Sequence, residues 1–195
     1  MKTICFTGHR PDKLKRGYDL ESFSYQKLRG ILRNKIVEVI NDIIDNQNEK
    51  DIKFIFGGAI GVDQLSFSIC EELKQEAKEY KACKIELELA IPFEKQASKW
   101  YERDVDRYEL QKQHADILTF VDTVEGYDFK GVAVGEYHPA KMMIRNKFMV
   151  NNSDIVIAVW NGSKGGTANA VNYAKKIGKE IIVINPRWDL EWKLI

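Results

Sequence analysis

The sequence predicts an α/β protein, a single domain over residues 1–195 with a mostly parallel sheet of about six strands covered on both faces by helices. Three observations carry this. Short β-branched and aromatic runs alternate with segments whose apolar residues recur every three or four positions. Several of those runs are continuously apolar, as strands buried on both faces must be. Three strand ends lead into glycine-rich or unusually polar loops. In doubly wound sheets ligands bind beyond the carboxyl ends of strands, where the strand order reverses.

The elements follow in order. Residues 2–7 form the first strand, halted by Gly8 and followed by the loop Gly8-His9-Arg10-Pro11-Asp12. Over residues 25–45, Tyr25, Leu28, Leu32, Ile36, Val39 and Ile43 mark one face of an amphipathic helix, with Ser22 or Ser24 as its cap. Residues 53–56 are the second strand. Gly57-Gly58-Ala59-Ile60-Gly61-Val62-Asp63 then turns into a helix reaching residue 80, its inner face at Val62, Leu65, Ile69, Leu73 and Ala77. The third strand, residues 84–91, alternates Glu86 and Glu88 with Leu87 and Leu89, which predicts one exposed face and a place near the sheet edge.

Residues 94–115 read as a helix broken near Trp100, and 116–121 as the fourth strand. Residues 122–138, with Gly126, Gly131 and Gly135, are the longest irregular connection, of a length that is usually functional or mobile. Pro139 suits the first turn of a helix to residue 152. A fifth strand at 154–160, a helix at 167–177 stopped by Gly178, and a sixth strand at 180–184 complete the pattern. The tail, residues 187–195, is expected to pack as a short helix or as a homo-oligomer contact.

Composition narrows the function classes. Lys+Arg 30 against Asp+Glu 29 gives a net charge of +1, so nothing global points to nucleic acid or an anionic membrane. A local basic pocket remains compatible with that balance. Cys5, Cys70 and Cys83 are scattered in apolar patterns, which fits buried thiols of a reducing compartment better than a disulfide or zinc framework. The histidines His9, His114 and His138 show no metal-ligand spacing, no Ser-His-acid triad is legible, and no cofactor or metal is called for. No apolar run approaches the ~18 residues of a membrane span, and the N-terminus enters a strand directly, so a cytoplasmic protein is expected.

The chemistry concentrates at the strand ends. Gly57, Gly58 and Gly61 allow positive φ and close approach to a phosphate, or simply a tight strand-to-helix turn. Asp63, in the first helical turn, suits the helix dipole, a ribose hydroxyl or catalysis. Gly162-Ser163-Lys164-Gly165-Gly166-Thr167 has the same logic with added hydroxyls and a cation, and Thr167 also suits a cap. Arg145 and Asn146 fall on the inward side of their helix, where a buried charge needs a partner: a bound anion, or an internal salt bridge to Asp154. His9 and Arg10 follow the first strand, in a position to touch a ligand. Trp160 could stack on a base, or pack in the core.

Thr7-Gly8-His9-Arg10-Pro11, the turn from Gly57 to Asp63, Arg145-Asn146 through Ser153-Asp154, and Gly165-Gly166-Thr167 together resemble the SLOG superfamily, and within it the YspA-like, DprA-related branch. The resemblance spans nearly the whole chain. It implies a Rossmann-like three-layer sandwich and a pocket for a nucleotide, a nucleotide-sugar or a nucleic-acid end. The superfamily also contains the Lonely-Guy phosphoribohydrolases, which pair Arg–Lys upstream with P-G-G-x-G-T-x-x-E and its catalytic glutamate. Here Arg145 matches, Asn146 stands for the lysine, and Ala170 occupies the glutamate position. The nucleoside deoxyribosyltransferases have a similar turn and also need that glutamate.

The expected function is therefore binding or sensing of a nucleotide-type ligand. Gly8, His9, Arg10, Gly57, Gly58, Gly61, Asp63, Arg145, Asn146, Gly162, Gly165, Gly166 and Thr167 are its candidate residues. The alternative is N-glycosidic hydrolysis or transfer, with Asp63 or a carboxylate among Asp122, Glu125, Asp128 and Glu136 as the acid. Single-stranded DNA binding, implied by similarity to the DNA-processing protein A family, is less favoured because the charge is balanced.

Overall fold

The computed structural model describes residues 1–80, 83–187 and 193–194. Its strands are β1 (Lys2–Gly8), β2 (Asp51–Phe56), β3 (Lys84–Ile91), β4 (Ile117–Phe120), β5 (Ile155–Val159), β6 (Glu180–Ile184) and β7 (Lys193–Leu194). Its helices are α1 (Phe23–Gln47), α2 (Val62–Tyr80), α3 (Glu102–His114), α4 (Pro139–Asn151) and α5 (Gly166–Lys176). Spatial order is β4-β3-β2-β1-β5-β6-β7, with β1 to β6 mutually parallel and the two-residue β7 antiparallel to β6. This is the expected Rossmann-like sandwich. β1 is central, with Ile4 level with Phe54 of β2 on one side and Ile155 of β5 on the other.

Two apolar layers enclose the sheet. On one face α1, α2 and α3 bring Leu32, Ile36, Leu65, Ile69 and Tyr108 against Phe6, Phe56, Leu87 and Ile157. Stacked Phe6 and Phe56 lie 5.0 Å apart and Phe67 meets Phe56 edge-on at 5.1 Å. Each such pair contributes roughly 0.5–1.5 kcal/mol beyond its buried area. On the other face α4 and α5 set Phe148, Met149, Val171 and Ala174 against Cys5, Ile55, Val156 and Ala158. Cys5 and Cys70 are buried, and burial pushes the Cys5 thiol up to about 12. Among the described residues, no helix is long and apolar enough to cross a membrane.

Local signals explain most boundaries. Ser22 caps α1, its Oγ accepting the Tyr25 N–H at 3.3 Å, and Asn48 ends that helix in the left-handed region. Pro139 occupies the first turn of α4.

Four expectations are corrected. Glu88 is not on an exposed face: it is 4% exposed, paired with Lys53 at 2.9 Å and accepting from Thr119 Oγ1 at 2.7 Å. β3 does lie near the sheet edge, one strand in from β4. The helix expected from residue 94 starts only at Glu102, because the preceding segment is a series of turns with Gln96 buried and donating to Gly57 O. Arg145 does not pair with Asp154, whose carboxylate instead accepts the Thr3 N–H at 2.8 Å. In the tail, residues 193–194 form a strand rather than a helix, while residues 188–192 and 195 lie outside the described residues.

The long connection is tied down by a buried ion pair. Lys141 of α4 and Asp122 are 2% and 3% exposed and 2.8 Å apart. Lys141 also donates to Ala133 O at 2.7 Å, and Asp122 accepts the Gly135 N–H at 2.9 Å. Removing one partner of such a pair leaves a buried charge, so Lys141→Met is expected to cost about 3–5 kcal/mol, read as a lower urea midpoint. The double variant Asp122→Leu/Lys141→Met should recover most of it. An unchanged midpoint in the single variant would contradict the clamp.

Candidate functional site

The strand order reverses between β1 and β5: the chain leaves β1 for α1 on one face and leaves β5 for α5 on the other. The two loops diverge and open a crevice beyond the carboxyl ends of the strands. A cleft of about 210 Å³ occupies it. Of the predicted residues, Gly8, His9 and Arg10 line it from β1, Asp63 from α2, Arg145 and Asn146 from α4, and Gly165, Gly166 and Thr167 from α5.

The β5–α5 side is an open helix start. Gly165 precedes α5 at φ +142°, a conformation that disfavours any side chain. No side chain caps α5, so its first N–H groups and the positive end of its dipole face the cleft. Thr167 is buried, as are Ala168 and Ala170 behind it, so small residues let the helix sit close to the sheet. Ala170, at the position of the hydrolases' glutamate, is 2% exposed in this packing. Gly162, at φ +87°, shapes the loop but does not line the cleft.

The β2–α2 turn is organised differently. Gly57, Gly58 and Gly61 do not line the cleft, although Ala59 does. A Cβ on Gly57 would lie 1.2 Å from Arg145 Nη1, and one on Gly58 2.8 Å from the Tyr108 ring. These glycines make room for side chains. The anion at this turn is the protein's own: Asp63 Oδ2 accepts the Ala59 N–H at 3.4 Å.

Asp63 and Arg145 form a pair 3.4 Å apart with side chains 9% and 6% exposed. Burial raises the Asp63 carboxyl above its usual value, against the pull of Arg145 and Arg10. Burial likewise lowers the Arg145 guanidinium. Among the described residues, Arg145 Nε has no hydrogen-bond partner. Two arginines thus act on one carboxylate, and one donor remains unspent.

His9 is 2% exposed, and burial lowers its imidazole below the ordinary value. Its Nε2 donates to Asn161 Oδ1 at 2.8 Å and lies 3.1 Å from the Asn161 backbone nitrogen. Trp160 is half-buried and donates through Nε1 to Ser163 O at 2.8 Å, which bends the loop.

Asp12, Lys13, Met142 and Lys164 also line the cleft. All four were outside the expected residues, although Asp12 and Lys164 stand in loops that the sequence singles out. Met142 was legible as the residue one turn before Arg145 and Asn146. Lys13 was not, because its role depends on a long-range contact, Nζ to Lys164 O at 2.8 Å. None of Asp122, Glu125, Asp128 and Glu136 lines the cleft.

Comparison with known proteins bears on the family and the fold. The chain is 33% identical over 162 residues to the prophage-derived protein YoqJ of Bacillus subtilis, covering 82% of this chain and 91% of that one. It is 27% identical over 199 residues to a UPF0398 protein of Halalkalibacterium halodurans, covering 98% and 92%. Among solved structures it resembles DNA processing protein A from Helicobacter pylori, described for its single-stranded DNA binding mode, with a TM-score of 0.52 and 15% identity over 96% of this chain and 67% of that one. The Streptococcus pneumoniae DNA processing protein A gives a TM-score of 0.53 at 14% identity, over 94% of this chain and 50% of that one. These two likenesses concern the fold. The model of the YspA SLOG family matches residues 4–187, and the chain belongs to that family.

Proposed function

We propose that the chain binds a nucleotide or nucleotide-derived ligand in the β1/β5 cleft. Its phosphate sits at the start of α5, and its sugar hydroxyls face Asp63 and Asn146. One observation carries this reading: an uncapped, glycine-led helix start shares the cleft with a buried arginine whose Nε is unpaired. Each feature alone suits an anion, and the helix start and Arg145 line the same cleft. The lining charges agree, with four cations (Arg10, Lys13, Arg145, Lys164) against two carboxylates (Asp12, Asp63), a local surplus of two in a chain of net +1. At about 210 Å³ the cleft is smaller than the usual ~300–1,000 Å³ enclosing pocket, which suits a ligand held by its phosphate end.

Binding is favoured over hydrolysis because the candidate acid is engaged: Asp63 is buried, paired with Arg145 and holding a backbone N–H. Incubation with nucleoside monophosphates is expected to release no free base by chromatography. Release that disappears in Asp63→Asn would reverse this assignment in favour of a hydrolase.

A second reading, single-stranded nucleic acid, is favoured by the exposure of Arg10, Lys13 and Lys164 on an open cleft. DNA processing protein A, whose fold this chain shares, is described as binding single-stranded DNA. Retardation of a labelled oligonucleotide that weakens steeply with salt would support it, and salt-insensitive or absent retardation removes it.

In a thermal-shift panel of nucleotides, ADP-ribose and inorganic phosphate, at least one phosphate-bearing member is expected to stabilise the chain at millimolar concentration. No shift from any member would count against the nucleotide reading. Lys164→Glu reverses a solvent-exposed charge at the cleft without disturbing the core, and should weaken that ligand about fivefold to tenfold.

A further inference from the structure

His9 joins three walls of the cleft at one residue. Its N–H donates to Val159 O at the end of β5 at 3.2 Å, and its carbonyl accepts the Val62 N–H at the start of α2 at 3.3 Å. Its ring reaches the loop between β5 and α5, where Nε2 meets both the N–H and the Oδ1 of Asn161. Asn161 Oδ1 in turn accepts the Ser163 N–H at 3.0 Å, and Ser163 O accepts from Trp160 Nε1 at 2.8 Å. The conformation of residues 160–165, and so the aim of the α5 N-terminus, passes through one imidazole nitrogen.

We propose that His9 is a positioning residue: through Asn161 it holds the β5–α5 loop so that the α5 amides stay directed into the cleft, and it does not itself grip the ligand. The chemistry suits that task. The ring is 2% exposed with Nε2 engaged by Asn161, so this nitrogen is not offered to the cleft. A neutral imidazole with its proton on Nε2 donates to Asn161 Oδ1 at 2.8 Å. The same Oδ1 also accepts the Ser163 N–H, so ring and loop meet at one oxygen. Burial, which keeps the ring neutral, supports this arrangement. Charges that share the cleft with the ring are Arg10, Asp12 and Lys13 from its own loop, Lys164 from the β5–α5 loop, Asp63 from α2 and Arg145 from α4.

Gly8 enforces the placement. A Cβ there would come 2.4 Å from Val62 Cβ, so only glycine lets α2 approach near enough for Val62 to reach the His9 carbonyl. The inference goes beyond the binding reading in naming what orders the site, and rests on that reading only for the ligand arm of its test.

The test is hydrogen exchange on the unliganded full chain, joined to titration with inorganic phosphate and adenosine monophosphate. In His9→Ala, the amides of Asn161 and Ser163, which sit in this network, are expected to exchange about tenfold faster while those of β2 and β3 keep their protection. His9→Gln, whose amide offers a donor and an acceptor near the Nε2 position, should restore slow exchange. Affinity for the phosphate probes should fall about tenfold in His9→Ala, recover in His9→Gln, and fall little further when Asn161→Ala is added to His9→Ala.

Unchanged exchange of the Ser163 amide in both His9→Ala and Asn161→Ala overturns the proposal. So do additive losses of affinity, which would mean that His9 contacts the ligand directly. If His9→Ala does not fold, faster exchange in Asn161→Ala with normal protection in His9→Gln supports the proposal, and the reverse overturns it. If the wild-type chain binds neither probe, the nucleotide reading fails, while the exchange comparison still decides the role of His9.

Discussion

The Asp63–Arg145 pair is the constraint on which the upper edge of the molecule depends. Asp63 belongs to α2 on one face of the sheet and Arg145 to α4 on the other, so their contact bridges the two layers over the end of β2. It exists because Gly57 has no side chain: the guanidinium fills the volume that a Cβ would take. Desolvating both charges is costly, and a single contact at 3.4 Å offsets only part of that cost. Arg10 adds a second cation to the same neighbourhood. A cleft built this way has more positive charge than its own acids neutralise.

The two glycine turns illustrate how similar strings serve different ends. At Gly57-Gly58-Ala59 the turn closes on the carboxylate of Asp63, four residues after Ala59, so its amide is already satisfied. At Gly165-Gly166-Thr167 no acid follows within the helix, and no side chain caps it. Glycine spacing alone does not distinguish an occupied turn from an open one. The nearest carboxylate does.

Much of the fold was legible because its signals are local. The strand endings at Gly8 and Pro92, the Pro139 helix start and the Gly178 stop each depend on a residue's own backbone preference, and the apolar spacing of α1 and α2 marks the buried faces. The loops that meet at the cleft were also legible, since strand ends are where doubly wound sheets bind. What stayed hidden was partnership across the chain. Glu88 reads as exposed by alternation and is buried by Lys53 and Thr119. Residues 94–101 carry helical periodicity, yet Gln96 is drawn to Gly57 O instead. Asp63, not Asp154, meets Arg145 across 82 positions of sequence, and Asn161 meets His9 across 152. No window of sequence contains both members of such a pair.

The buried clamp between Lys141 and Asp122 has a mechanical side. Lys141 and Arg145 are four residues apart on α4, hence on one face of a stiff rod a single turn apart. Lys141 fastens the first turn of that rod to the connection at residues 122–138, and one turn on Met142, Arg145 and Asn146 line the cleft. The longest connection and the guanidinium of the cleft are thus held in one register by a single turn of helix.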